Sequence, residues 1–183
     1  MKIEHNKYYH FYNRSNNQEL LFRNRDNYLY FLAKYRKYLD DNLITIAYCL
    51  MPNHFHFLIK VKPDSDIMQL KKNIGTLLSS YTKAINKSLS RVGSLFQQHN
   101  KTKELIDDKT ILNVINYIHQ NPLRKALVKN LEDWEFSSFR DYVNLRSGAL
   151  LNKDFVLAHI PTIKEFKFFS MTKAEKFNFI LNV

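Results

Sequence analysis

Residues 54–61 read His-Phe-His-Phe-Leu-Ile-Lys-Val, and this strict alternation constrains the chain more than any other stretch. Successive side chains of a β-strand point to opposite faces, so Phe55, Phe57 and Ile59 share one face and His54 and His56 the other. The apolar set needs a covering layer. The two imidazoles stand side by side, about 6.6–7 Å apart along the strand. A β-prone run, Leu43 to Leu50, comes before, and the turn Met51-Pro52-Asn53 joins the two into an antiparallel pair.

The remaining elements follow from period and punctuation. Tyr8 to Arg14 is aromatic and β-prone, and the cluster Ser15-Asn16-Asn17 ends it. From Asp26 to Asp40, Tyr28, Leu29, Phe31, Leu32, Tyr35 and Leu39 recur at helical spacing. Pro63 to Asp66 supplies a turn and an N-cap for a second helix reaching about Leu89. A short β-prone segment lies within Ser94 to Leu105. Asp107-Asp108 then open a third helix, Thr110 to about Gln120, which Asn121-Pro122 ends or kinks. After Trp134 the signals weaken into short helices and an Asn/Lys/Phe-rich tail. The order β-α-β-β-α-β predicts an α+β, ferredoxin-like antiparallel sheet with helices on one face, plus a helical C-terminal extension. The expected division is 1–130 for the sheet-bearing domain and 131–183 for the extension packed on it.

Charge and composition narrow the partners. The 183 residues carry 28 Lys and Arg against 17 Asp and Glu, a formal net charge of +11, which favours a polyanion, although many lysine-rich proteins are merely soluble. With 3 Gly and 4 Pro, collagen-like and proline-rich architectures are excluded. The single Cys49 can form no internal disulfide and no cysteine-rich zinc motif. The longest apolar run, Ile46 to Met51, is far too short for a membrane span, and MKIEHNKYYH has no apolar leader core. A cytoplasmic protein with no membrane partner is the expectation.

Two histidines on an exposed sheet face can hold one divalent metal, or be polar positions of a solvated surface. Other chemistries with this spacing fit poorly. Barrel amidohydrolases need a longer chain; metallo-β-lactamase-like sites need Asp-His directly downstream, where Phe57-Leu58 stand; histidine-triad hydrolases need a third His at the position of Leu58. What remains is a His-hydrophobe-His pair on a central strand, which needs a nucleophile. Tyr117 and Asn121 lie four apart, on one face of the third helix, and can be presented together if that helix crosses the histidine face. His119, two positions from Tyr117, points elsewhere. No phosphate-binding G-x-x-x-x-G-K-[ST] loop is present.

HFHFLI after Leu50-Met51-Pro52-Asn53 resembles the single-tyrosine HUH transposases of the IS200/IS605 type. YIHQNPLRKALV (Tyr117 to Val128) with DWEFSSFRDY (Asp133 to Tyr142) is similar to their REP-associated tyrosine transposase branch, as are Asn13-Arg14 and Ser94-Leu95-Phe96-Gln97. The resemblance spans about residues 8 to 143. It implies cleavage and rejoining of single-stranded or hairpin DNA through a 5′-phosphotyrosine, with Tyr117 as nucleophile, His54 and His56 as metal ligands and Asn121 as the third ligand. The implied metal is Mg²⁺ or Mn²⁺, although histidines alone favour Zn²⁺ by affinity. Candidate DNA contacts are Asn13, Arg14, Lys71, Lys72, Lys83, Lys87, Arg91, Arg124 and Lys125, while Trp134, Ser137 and Ser138 read as structural. The resemblance also allows a homodimer in which the tyrosine helix serves the partner's metal site. Rival readings are a domesticated relative that nicks chromosomal hairpins, and a DNA- or RNA-binding protein with an inactive site. The tail phenylalanines Phe166, Phe168, Phe169, Phe177 and Phe179 are apolar enough to pack on a core, a subunit or DNA.

Overall fold

A computed structural model describes residues 2–172 and Ala174. At its centre is β3 (His54–Val61), hydrogen-bonded on one side to β2 (Leu43–Met51) and on the other to β1 (Tyr8–Arg14). β4 (Lys101–Leu105) pairs with the far edge of β1. The sheet order is β2-β3-β1-β4 with every pair antiparallel, the split arrangement of the ferredoxin-like fold. Only the last five residues of the β-prone Ser94–Leu105 segment form strand; before them Ser15 and Phe96 make an isolated bridge.

Two helices cover one face. α1 (Arg25–Leu39) starts where Asn24 accepts the Asn27 N–H, and α2 (Ile67–Ser88) where Asp66 accepts the Gln69 N–H. Phe31, Tyr35, Leu70, Leu77 and Tyr81 bury the alternating residues Phe55, Phe57 and Ile59. The Tyr35 ring stacks on Phe57 at 4.2 Å between centroids, and its hydroxyl bonds to Thr45 Oγ1 at 2.9 Å.

The opposite face is not open, as the one-sided expectation had it. α3 (Asp108–Arg124) lies across it and packs Ile111, Val114, Ile115 and Ile118 onto Ala47, Cys49 and Leu58. A bulge between Thr45 and Ala47 shifts the parity of β2, so that Tyr48 and Leu50 turn toward α1 and α2 while Cys49 and Met51 flank the histidines. Nor does Pro122 end α3. It sits in the last turn, and termination comes at Ala126, whose φ of 53° is left-handed. There Leu127 N–H bonds to Pro122 O and Ala126 N–H to Leu123 O, the paired closure of a Schellman motif with alanine in place of glycine.

The chain after α3 wraps the β2 side. Trp134 Nε1 donates to Leu50 O, Cys49 bridges Ser137, and Ser138 Oγ accepts the Tyr48 N–H, so these three residues are structural. Short helices follow, α4 (Phe139–Tyr142), α5 (Asp154–His159) and α6 (Ile163–Met171). Phe166 is buried against Phe139 and Tyr142, whereas Phe168 is exposed; Phe177 and Phe179 lie outside the described residues.

His119 is sealed between α3 and this segment, its Nε2 bonded to Ser138 Oγ at 2.8 Å. Burial pushes its pKa down to about 3. An unfolded chain protonates this imidazole near its ordinary 6.5, the folded chain does not, so stability is complete above 6.5 and falls as pH drops toward 3. The expected slope is about 1.4 kcal/mol per pH unit for this one group. Urea unfolding at pH 7, 6 and 5 checks it: His119→Gln should flatten the wild-type slope by about one proton.

Candidate active site

Strand register and helix placement assemble the site. Tyr12, His56 and Cys49 form one cross-sheet row, and Arg14, His54 and Met51 the next. Over these rows α3 sets Tyr117, with its ring 5.6 Å from that of His56 at 81°. One turn on, Asn121 Nδ2 donates to Tyr117 O at 3.0 Å, which sets the side-chain amide near the His54 ring and the Tyr117 phenol. The His54 and His56 rings stand 5.0 Å apart at 81°. All four residues come from one chain, so the tyrosine faces its own histidines.

The site is dry and electropositive. His54, His56 and Tyr117 are 6%, 0% and 7% exposed, which makes their titration abnormal. Burial, then Lys125 and Arg14, lower His54 to about 4; burial and the neighbouring His54 and His10 hold His56 well below the usual range. Both rings are therefore neutral at pH 7 with lone pairs to offer. Burial raises the Tyr117 phenol, partly offset by the nearby Asn121 amide and by Arg124, whose guanidinium lies 5.5 Å from the ring centroid.

Beside His54 opens a cleft of about 660 Å³. Arg14, Lys125, Gln97 and Asn53 supply its cationic and amide groups, and Leu20, Pro52 and Leu127 part of its apolar wall. Of the candidate DNA contacts, Arg124 lies over the Tyr117 ring, and Arg14 and Lys125 line this cleft. Asn13 does not: it is 3% exposed and its Nδ2 is spent on Gln97 O and Asn100 Oδ1, holding the segment before β4. Arg91 is bound in a two-pronged ion pair with Glu19. Lys71, Lys72, Lys83 and Lys87 ride on α2, on the sheet face away from the histidines.

Three participants escaped the sequence reading. His10 bonds through Nε2 to His56 Nδ1 at 2.9 Å, Tyr12 stacks on His10 at 4.6 Å, and Asn53 Oδ1 meets His54 Nδ1 at 2.7 Å. The alternation of Tyr8, His10 and Tyr12 carried the signal, since every second residue of β1 must face where its paired strand presents histidines.

Among the described residues no three His, Cys, Asp or Glu side chains gather as a metal centre. A two-imidazole, one-amide set nonetheless fits a divalent cation. His56 Nε2 is buried without a hydrogen-bond partner, and the second nitrogen of each ring is already engaged, His54 by Asn53 and His56 by His10.

A ferredoxin-like sheet with a central His-hydrophobe-His strand under a tyrosine-bearing helix defines a tyrosine-transposase domain. The family described as Transposase IS200 like matches residues 4–121, more than half of the chain, and the chain belongs to that family. A Haemophilus influenzae protein assigned as a REP-associated tyrosine transposase is 29% identical over 102 residues, 52% of this chain. That alignment spans 58% of the relative's length. The solved structure of a REP-associated tyrosine transposase bound to a REP hairpin superposes with a TM-score of 0.64 at 20% identity, covering 84% of this chain and 87% of that one, a likeness of fold. Among the described residues no helix is long and apolar enough to cross a membrane.

Proposed function

We propose that this protein cleaves and rejoins single-stranded DNA beside a hairpin or palindrome, through a 5′-phosphotyrosine on Tyr117. The observation that carries the reading is the placement of Tyr117 by α3, its ring 5.6 Å from that of His56, one of two adjacent neutral imidazoles of the same chain. Tyr117 Oη forms a bond to the backbone phosphorus, the bond to the 3′-oxygen breaks, and that oxygen leaves as a hydroxyl, so the phenolic proton is balanced. The 3′-hydroxyl of another strand end reverses the exchange with no ATP, because the phosphotyrosine keeps the bond energy. The Asn121 amide and the Arg124 guanidinium over the ring both favour negative charge on the phenolic oxygen. His54, His56 and Asn121 would hold Mg²⁺ or Mn²⁺, which supplies charge neutralisation at the phosphate and the departing oxygen when bound.

The bound strand is placed in the cleft beside His54, where Arg14 and Lys125 meet its phosphates and the amides of Asn53 and Gln97 are at hand for base edges. A hairpin-nicking domesticated relative would use this same chemistry. The test is an SDS-resistant adduct between the protein and labelled single-stranded DNA carrying a hairpin, dependent on Mg²⁺ or Mn²⁺; absence of an adduct across substrates from the flanks of the gene would overturn the reading. The cleft makes a separate prediction. Arg14→Ala and Lys125→Ala should each reduce the slope of log affinity against log salt by about 0.7, one single-strand phosphate. Lys71→Ala on the far face should leave it unchanged. Fluorescence anisotropy over a salt series reads all three.

A further inference from the structure

We infer that His10 is a positioning residue: it accepts the Nδ1 proton of His56 and thereby holds the His56 Nε2 lone pair toward the cation site. The inference rests on the proposed metal role of His56 and goes beyond it, to a residue that lies on a different strand and touches neither substrate nor cation.

The geometry restricts the choices. The two rings share one proton along the 2.9 Å line between His10 Nε2 and His56 Nδ1. If His10 donates, the neutral His56 carries its hydrogen on Nε2, buried and with nothing to accept it. If His56 donates, its Nε2 is a bare lone pair and the unmet hydrogen moves to His10 Nδ1, equally buried. Without a cation each polarity strands one donor and one acceptor. A cation distinguishes them, because only the lone pair on His56 can be a ligand. A free histidine side chain favours the proton on Nε2, the wrong tautomer for that task, so an acceptor at Nδ1 is needed to reverse the preference.

His10 is itself held for this role. It is 0% exposed, stacks on Tyr12 at 4.6 Å and 23°, and sits edge-on to Tyr117 at 6.2 Å. Its register partner is Leu58, so it reaches His56 diagonally, as a long side chain on an antiparallel pair can. In many metalloproteins a carboxylate or backbone carbonyl fills this outer position. An imidazole there adds no negative charge to a site that must receive a phosphodiester.

The experiment is Mn²⁺ titration of the intact protein by electron paramagnetic resonance, without DNA, on wild type, His10→Phe, His10→Gln and His56→Ala. His10→Phe keeps a ring but no acceptor and should weaken Mn²⁺ binding about 10- to 100-fold. His10→Gln, whose carbonyl can accept from His56, should recover most of the loss. In Mg²⁺-saturated wild type, ¹⁵N–¹H ring correlations should place the His56 proton on Nδ1. Unchanged Mn²⁺ affinity in His10→Phe, equal losses in both His10 variants, or a His56 proton on Nε2 in the Mg²⁺-loaded wild type would each overturn the inference. If His56→Ala binds Mn²⁺ like wild type, the metal assignment itself fails. If His56→Ala loses Mn²⁺ while His10→Phe keeps it, only the role of His10 fails.

Discussion

Tyr117→Phe should leave no covalent protein–DNA adduct, a fall of about 10⁴-fold or more, while hairpin affinity stays within about twofold. The substitution removes one oxygen and keeps the ring that packs against His56 and lies under Arg124. Binding should therefore survive, since the cationic groups of the cleft are untouched. A control is built into the site. Tyr12 is a second buried phenol, 5.8 Å from His56 between ring centroids, and its pKa is also raised by burial. Tyr12→Phe should retain the adduct. An adduct that survives Tyr117→Phe and vanishes with Tyr12→Phe would move the nucleophile to β1. Burial also keeps the Tyr117 phenol protonated at neutral pH, so adduct formation should accelerate as pH rises toward its pKa. Denaturing gels with end-labelled DNA between pH 6.5 and 9 measure both effects.

The second large effect concerns stability. Asp141 is a carboxylate 1% exposed, and Arg146 pairs with it directly. The same guanidinium reaches the Tyr48 hydroxyl at 2.8 Å and the carbonyls of Glu135 and Ser137 at 2.7 and 2.8 Å, tying the C-terminal segment to β2. Arg146→Met removes the cation paired with the buried carboxylate and leaves it the Gly148 N–H, with Lys153 bonded to the Asp141 backbone carbonyl and not to its carboxylate. The expected loss is about 3–5 kcal/mol, read as a shifted urea midpoint. The double variant Arg146→Met with Asp141→Asn should regain part of it, because no charge is then left unpaired. Equal stability of wild type and Arg146→Met would show the pair to be dispensable.

Strand β3, its pairing with β2, the two helices over the phenylalanine face and the tyrosine helix were all legible, because alternation and helical spacing leave few choices for HFHFLIKV or for the run from Leu70 to Ile85. The end of α3 was not. Pro122 reads as a stop, yet a proline in the last turn removes only one intrahelical donor, and the left-handed Ala126 closes the helix with no glycine to announce it. The cover of the histidine face was legible only in part: the spacing of Tyr117 and Asn121 suited a helix crossing it, whereas the packing of Ile111, Val114, Ile115 and Ile118 onto β2 and β3 had no separate signal. For the site, Tyr117, His54, His56 and Asn121 could be chosen by spacing and resemblance. His10 was missed although its alternation with Tyr8 and Tyr12 was visible, because its meeting with His56 also depends on the pairing of β1 with β3. Charge alone did not sort the candidate contacts: Lys71, Lys72 and Lys83 ride on the helix that covers the phenylalanine face, so they stand across the sheet from the histidines.

The split strand order has a bearing on synthesis. β1 finds β3 only after the helix and strand between them have emerged, and Tyr8 waits for Leu105 before its other edge is closed. Through that interval a nascent chain displays the backbone of β1 unbonded along one side, with Tyr8, His10 and Tyr12 beside it, an invitation to pair with a neighbouring ribosome's product. Yield from overexpression should therefore depend on translation speed and chaperone supply more steeply than the finished fold's stability would suggest.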